Sequence, residues 1–267
     1  MLESWRRRYR ESLGVPVIPD FHEALCRWGQ AFEIRDAGRA QGYLIFAGET
    51  WRRDRGSIIP EFYLSVGSAR AAKDMLREAF EKFKPDRVLG RTDDPAGFPL
   101  LMDMGLPNQV ASPLYVLDTP AAWQEDPEIG LAESSLEDAS RLAALYAAAP
   151  PEDGGIQEDV ALMKSLVAWR HYRLTLTGGE VAAVGYVAPQ GGRYVSVHSI
   201  VGPAFRGRGL GRYLAGFALN RELSENKIFL ATVHSDNEAA KNLIESLGAR
   251  LAGHFVHFSA EGSVRRD

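Results

Sequence analysis

The sequence predicts an α/β protein made of two copies of one mixed-sheet domain, each mostly antiparallel and flanked by helices. Three observations predict it. Strand-like and helix-like segments alternate through both halves of the chain. The order of elements in the first half recurs in the second, most closely at the end, where Asp94 to Gly105 spans nearly the same length as Asp236 to Gly248. A chain of 267 residues, 45% hydrophobic and 25% charged, also holds enough apolar material for two cores of ordinary globular composition.

In the first half, the basic segment Trp5-Arg6-Arg7-Arg8-Tyr9-Arg10 reads as an exposed helix, and with no apolar stretch after it a secretory signal is not expected. A short helix over residues 21–28 follows and places Cys26 on its buried side. As the sole cysteine, it excludes an intrachain disulfide and speaks against a cysteine metal site, so no metal is expected. Strands are predicted over 31–35, 42–47 and 58–66, a helix over 69–83, a strand over 87–91 and a short helix ending at Met104-Gly105. The stretch from Leu117 to Glu128 carries two prolines and four acids and reads as a linker. It divides the chain into domains 1–127 and 128–267.

The second half opens with a helix start at Ser134 or Ser135, with Glu137 and Asp138 in its first turn, where the helix dipole favours acids. A second helix is predicted over 157–169. Strands follow over 171–177, 181–188 and 193–201, separated by Gly178-Gly179 and Gly191-Gly192 at hairpin spacing. A helix over 209–224, a strand over 227–233, a helix over 238–247 and a strand over 250–258 complete the pattern.

With 31 basic and 35 acidic residues the formal net charge is −4, which does not suggest a nucleic-acid partner. No run of about 18 apolar residues appears, so neither a membrane span nor a membrane partner is expected and a cytoplasmic location is.

The chemistry concentrates where the strand ending at Pro203 meets Arg206-Gly207-Arg208-Gly209-Leu210-Gly211-Arg212. Glycines at alternate positions permit a tight turn and a close backbone approach to a ligand. The helix that follows presents unpaired N–H groups and the positive end of its dipole. With Arg206, Arg208 and Arg212, this makes a pyrophosphate cradle that needs no metal. The loop lacks the Gly-Lys-Ser/Thr ending of a nucleoside triphosphatase, and its glycine spacing fails the dinucleotide fingerprint.

Arg206-x-x-Gly209-x-Gly211 after Ser199-Ile200-Val201-Gly202-Pro203 resembles the acyl-CoA signature of the GNAT acetyltransferase superfamily. Asn237-Glu238-Ala239-Ala240, with Leu243 and Gly248, resembles the later segment of the same family. The first half matches in outline only. Its Val66-Gly67-Ser68-Ala69-Arg70 lacks the glycine triplet, so the chain resembles a tandem GNAT protein with a degenerate first copy. The resemblance implies acetyl-CoA as cosubstrate and a small-molecule or peptide amine as acceptor, attacking the thioester directly in a ternary complex. It further implies that the backbone of Ser199, Ile200 and Val201 pairs with the pantetheine arm, that an N–H near Val201 polarises the thioester carbonyl, and that the amides of 207–212 hold the pyrophosphate. Asn237 helps fix the cosubstrate, caps the following helix, or does both.

The sequence departs from the family at the acid and the base. Ile244 and Ala249 stand where a tyrosine and an aromatic are frequent, and the strand before the loop offers Tyr194, Ser196, His198 and Ser199 in place of a glutamate. His198 and His234 are the candidate catalytic residues, since imidazole titrates near neutrality. Strand alternation sets His198 on the opposite face from Val197, Ser199 and Val201, where relatives carry catalytic groups, and a packed histidine is the competing reading. His254 and His257 face the cleft or cover a sheet edge. Tyr213 is expected to pack. Glu152, Asp153, Glu158 and Asp159 either attract the amine or form a solvated helix start. The competing functions are a non-catalytic acyl-CoA sensor, to which the missing tyrosine and glutamate point, and a transferase using aminoacyl-tRNA, against which the acyl-CoA loop and the negative charge argue.

Overall fold

The computed structural model describes residues 2–17, 19–27, 29–48, 56–65, 67–119, 123–135, 138, 140, 144–145, 170–191 and 193–260. The predicted helix over 157–169, most of the one before it, and Glu152, Asp153, Glu158 and Asp159 lie outside the described residues. The chain forms two compact units: Met1–Leu114 with Ala252–Asp267, and Tyr115–Leu251. The units therefore do not follow a linear division at 127/128, because residues from 252 onward return to the first.

In the first unit, helices α1 (Leu2–Ser12) and α2 (Asp20–Arg27) precede a hairpin of β1 (Gln30–Asp36) and β2 (Arg39–Ala47). Ala37 and Gly38 turn it with φ of 44° and 78°, the positive pair that matches the twist of two-residue hairpins. Strand β3 (Ile58–Leu64), helix α3 (Ala69–Phe83), strand β4 (Arg87–Arg91), helix α4 (Gly97–Asp103) and strand β5 (Asn108–Leu117) follow. The sheet order is β1-β2-β3-β4-β11, where β11 (Arg250–Ser259) is the last strand of the described sequence. Strand β11 runs antiparallel to β4, from Phe255 opposite Arg91 to Ser259 opposite Arg87. Leu76, Phe80, Val88, Leu101, Val256 and Phe258 form the core between this sheet and helices α3 and α4.

In the second unit, β6 (Ile129–Glu133), β7 (His171–Leu176), β8 (Val181–Gly191) and β9 (Tyr194–Val201) form an antiparallel meander. Helix α5 (Leu210–Ser224), β10 (Ile228–Thr232) and helix α6 (Glu238–Ser246) complete it, in the order β10-β9-β8-β7-β6. Helix α5 packs Leu210, Leu214 and Ala218 on β7, β8 and β9, and Ala215, Leu219 and Leu223 on β10 and α6. The end of β5 joins this core through Tyr115 and Leu117. Trp123, in the predicted linker, packs on Tyr213 and Phe217 of α5. Among the described residues, no helix is long and apolar enough to cross a membrane.

Candidate functional site

The site is built where β9 and β10 part. The two strands run parallel and pair only at Tyr194 with Ile228 and Val195 with Phe229. Strand β9 then continues to Val201, still paired with β8 on its other side. Gly202 N–H donates to Ala182 O at 2.9 Å on β8, and Ile228 N–H donates to Arg193 O at 2.8 Å from β10. Alternation along β9 therefore turns the backbone of Val197, Ser199 and Val201 toward the open side. Ile200 turns its backbone to β8, opposite Val184, so it takes no part in the open edge. Arg206 reaches back to this edge, its Nε donating to Val201 O at 3.3 Å.

A 3₁₀ turn, Pro203–Phe205, leads from β9 into the glycine loop. Gly207 and Gly209 have φ of 76° and 77°, and a Cβ at either would meet nothing within 4 Å. Gly209 caps α5 without any side-chain hydrogen bond. Tyr213 N–H makes the first helical bond, to Gly209 O at 3.0 Å. The amides of residues 207–212 thus have no acceptor among the described residues, at the positive end of a 15-residue helix. Gly211 serves packing, since a Cβ there would stand 3.3 Å from both Leu243 Cδ1 and Val201 Cγ2. Arg206 and Arg208 are exposed around the loop. Arg212 is turned elsewhere, its Nη2 donating to Ser246 O at 3.1 Å at the end of α6.

Asn237 is the N-cap of α6, its Oδ1 accepting from Ala240 N–H at 3.0 Å. His234 is exposed beyond the end of β10, with Nδ1 3.6 Å from Asp236 Oδ2. Ile244 is buried in the α5–α6 core. Tyr213 OH accepts from Asp126 N–H at 2.7 Å, which ties α5 to the segment before β6. His254 and His257 belong to the first unit on β11, where His257 stands opposite Leu89.

Side chains of β9 divide by face. Val195, Val197 and Val201 pack with α5. Ser196, His198 and Ile200 turn the other way, and His198 is the exposed one. His198 stacks on Tyr186 across the strands, with ring centroids 4.6 Å apart and planes at 11°. Tyr186 in turn stacks on His171 at 6.0 Å. His198 Nε2 lies 3.1 Å from Ser196 Oγ, and Gln190 Nε2 donates to the same Oγ at 2.8 Å. Residue 198 keeps an open flank to solvent, yet the protein atoms around the ring desolvate it and push its pKa down to about 4. Gln190 escaped the sequence reading because it is the extra residue of a bulge: Pro189 faces Val195 and Gly191 faces Tyr194. The Pro-x-Gly sequence is the one signal that hints at such a break.

The first unit shows the same parting without the cradle. Strands β3 and β4 pair in parallel only at Ile58 with Arg87 and Ile59 with Val88. The start of α3 is closed by Ser68, whose hydroxyl accepts from Ala71 N–H. Its carboxylate, Glu61, is buried and held by Arg6 and by Tyr43 OH at 2.6 Å. Among the described residues, His22, Cys26 and Glu61 are near enough to hold a metal ion. Arg6 already brings a positive charge to both Glu61 oxygens, which such an ion would have to displace.

The strand pair β9–β10 thus parts beside a glycine-capped helix whose first amides are unengaged. Residues 140–249 match the model of the Acetyltransferase (GNAT) family. Solved structures agree on the fold. An acetyltransferase of the GNAT family from Colwellia psychrerythraea is 17% identical and superposes with a TM-score of 0.79, covering 97% of this chain and 95% of that one. A tandem GNAT protein from the clavulanic acid biosynthesis pathway is 17% identical, with a TM-score of 0.59 over 95% of this chain and 87% of that one. A GCN5-related N-acetyltransferase from Sphaerobacter thermophilus is 13% identical, with a TM-score of 0.63 over 96% and 89%. No curated protein matches the sequence.

Proposed function

We propose that the second unit transfers an acetyl group from acetyl-CoA to an amine, and that the first unit is a degenerate copy without a transfer reaction of its own. One observation carries this reading: the open β9 edge at Val197, Ser199 and Val201 leads straight into a helix start with unengaged amides. The edge suits a pantetheine arm added as a strand, and the loop suits a pyrophosphate. The open space at Gly207 and Gly209 fits the same group.

Acetyl-CoA supplies a thioester that an amine can attack; the N–C bond forms as the C–S bond breaks. The amide of Val201 polarises the thioester carbonyl, and holding amine and thioester together supplies much of the rate. His234, exposed beside Asp236, takes the amine proton directly or through water. The thiolate leaves with little help, since a thiol of this kind is acidic near pH 8–9 by analogy with cysteine.

The test is calorimetry with acetyl-CoA beside thiol release on a panel of small amines and peptides. Binding with turnover on at least one amine is expected. Binding without turnover on any would favour the sensor reading, for which the buried Ile244 speaks.

A further inference from the structure

The polar group behind His198 is not absorbed by that reaction. Gln190 and Ser196 are both buried, at 8% and 9% exposure, while His198 is exposed, so a chain of hydrogen bonds runs from the interior to the open face of β9. Its direction follows from the orientation of the Gln190 amide, which turns Nε2 rather than Oε1 to Ser196. Gln190 Nε2 donates to Ser196 Oγ. The serine hydroxyl has one proton of its own, and His198 Nε2 is the sole acceptor within reach among the described residues. If Nε2 carried a proton, Ser196 Oγ would accept twice and its own buried O–H would go unsatisfied, which is costly. Donors aligned head to tail also reinforce one another. Stacking on Tyr186 fixes the ring plane, so the ring keeps this pairing.

We propose that Gln190 and Ser196 hold His198 in the neutral tautomer with its proton on Nδ1, and that this N–H donates a hydrogen bond to an oxygen of the acceptor. The acceptor class is then an amine that also bears a carbonyl, carboxylate or hydroxyl oxygen. This rests on the reading of the second unit as an acetyltransferase. His198 handles no proton in the transfer and acts by binding; Gln190 and Ser196 are positioning residues that act through it.

The tautomer is measured without any substrate, by ¹⁵N NMR of the histidine ring nitrogens in the full-length protein at neutral pH. A proton on Nδ1 is expected for His198 in the wild type. Gln190→Glu replaces the donor by an acceptor of the same shape, so Ser196 O–H turns to it and the proton moves to Nε2. An Nε2–H wild type, or a Gln190→Glu variant that keeps Nδ1–H, would overturn the proposal. The donor role is read on the best amine of an acceptor panel with acetyl-CoA. His198→Ala should raise KM for the amine about tenfold with kcat nearly kept. His198→Asn, whose amide N–H lies close to the place of Nδ1–H, should restore most of the loss. A fall in kcat of about 10²-fold or more in both variants would mark a general base and sink the donor role, as would an unchanged KM in the alanine variant. Turnover on no amine would overturn the donor role together with the acetyltransferase reading, while the NMR result would still fix the tautomer.

Discussion

The Arg6 guanidinium grips both oxygens of Glu61, with Nε 2.7 Å from Oε1 and Nη2 2.9 Å from Oε2. Burial works against the Glu61 carboxylate, but the hydrogen bonds from Arg6 and Tyr43 outweigh it and hold its pKa below the usual carboxylate range. Removing Arg6 leaves the buried Glu61 carboxylate with Tyr43 OH but without its cation, and removing Glu61 leaves the buried Arg6 with Glu23 alone to balance it. Arg6→Ala or Glu61→Ala is expected to destabilise the first unit by about 3–5 kcal/mol. Urea unfolding measures this; a loss under about 1 kcal/mol would show the pair to be incidental.

Two buried histidines predict an acid-sensitive fold. Burial pushes His22 and His171 down to about 4 each. Each is neutral when folded but protonates near pH 6.5 when unfolded. The unfolded state therefore binds more protons between pH 6.5 and 4, and stability falls as pH drops through that window, by up to roughly 3 kcal/mol per histidine. Denaturation curves at pH 7, 5.5 and 4.5 check the slope. His22→Gln should flatten the part that belongs to the first unit.

Gly209→Asp should abolish acetyl-CoA binding with the fold retained. The new side chain meets no atom, but it adds a negative charge and a strained backbone where a phosphate would approach the amides. Gly211→Asp should also lose binding and, in addition, lose stability, because its Cβ is pressed between Leu243 and Val201. Calorimetry and circular dichroism separate the two effects. Unchanged affinity in a folded Gly209→Asp variant would refute the cradle.

Tyr213→Phe distinguishes packing from catalysis. Its hydroxyl accepts from the Asp126 amide, so the variant should lose about 1 kcal/mol of stability and keep its turnover. A fall in kcat of about 10²-fold with stability unchanged would make Tyr213 an acid.

Much of this fold is legible in the sequence where periodicity and capping agree. Helix α3 and strand β4 fall on the predicted residues, and α5 begins one residue later than expected. Strand β5 is hidden because Pro113 interrupts its β-favouring run. Strand β6 is hidden because five residues inside an acidic stretch give too little alternation. At the site, the glycine loop is readable because backbone conformation dictates residue type there. The links from Gln190 to Ser196 and from His198 to Tyr186 are not, because they depend on a bulge and on cross-strand register, which no local pattern encodes.

From Ala252 onward strand β11 belongs to the first unit, although the whole of the second unit precedes that stretch in the chain. During synthesis the partner that Leu89 and Val88 need, His257 and Phe258, leaves the ribosome only after every residue of the second unit has been made. The second unit can condense while the first still waits with the β4 edge uncovered, a reversal of the usual N-terminal-first order. Such long-range closure also slows folding. Nascent chains stalled before residue 252 should therefore expose an aggregation-prone edge in the first unit, and shortening β11 should damage the end of the protein farthest from it in sequence.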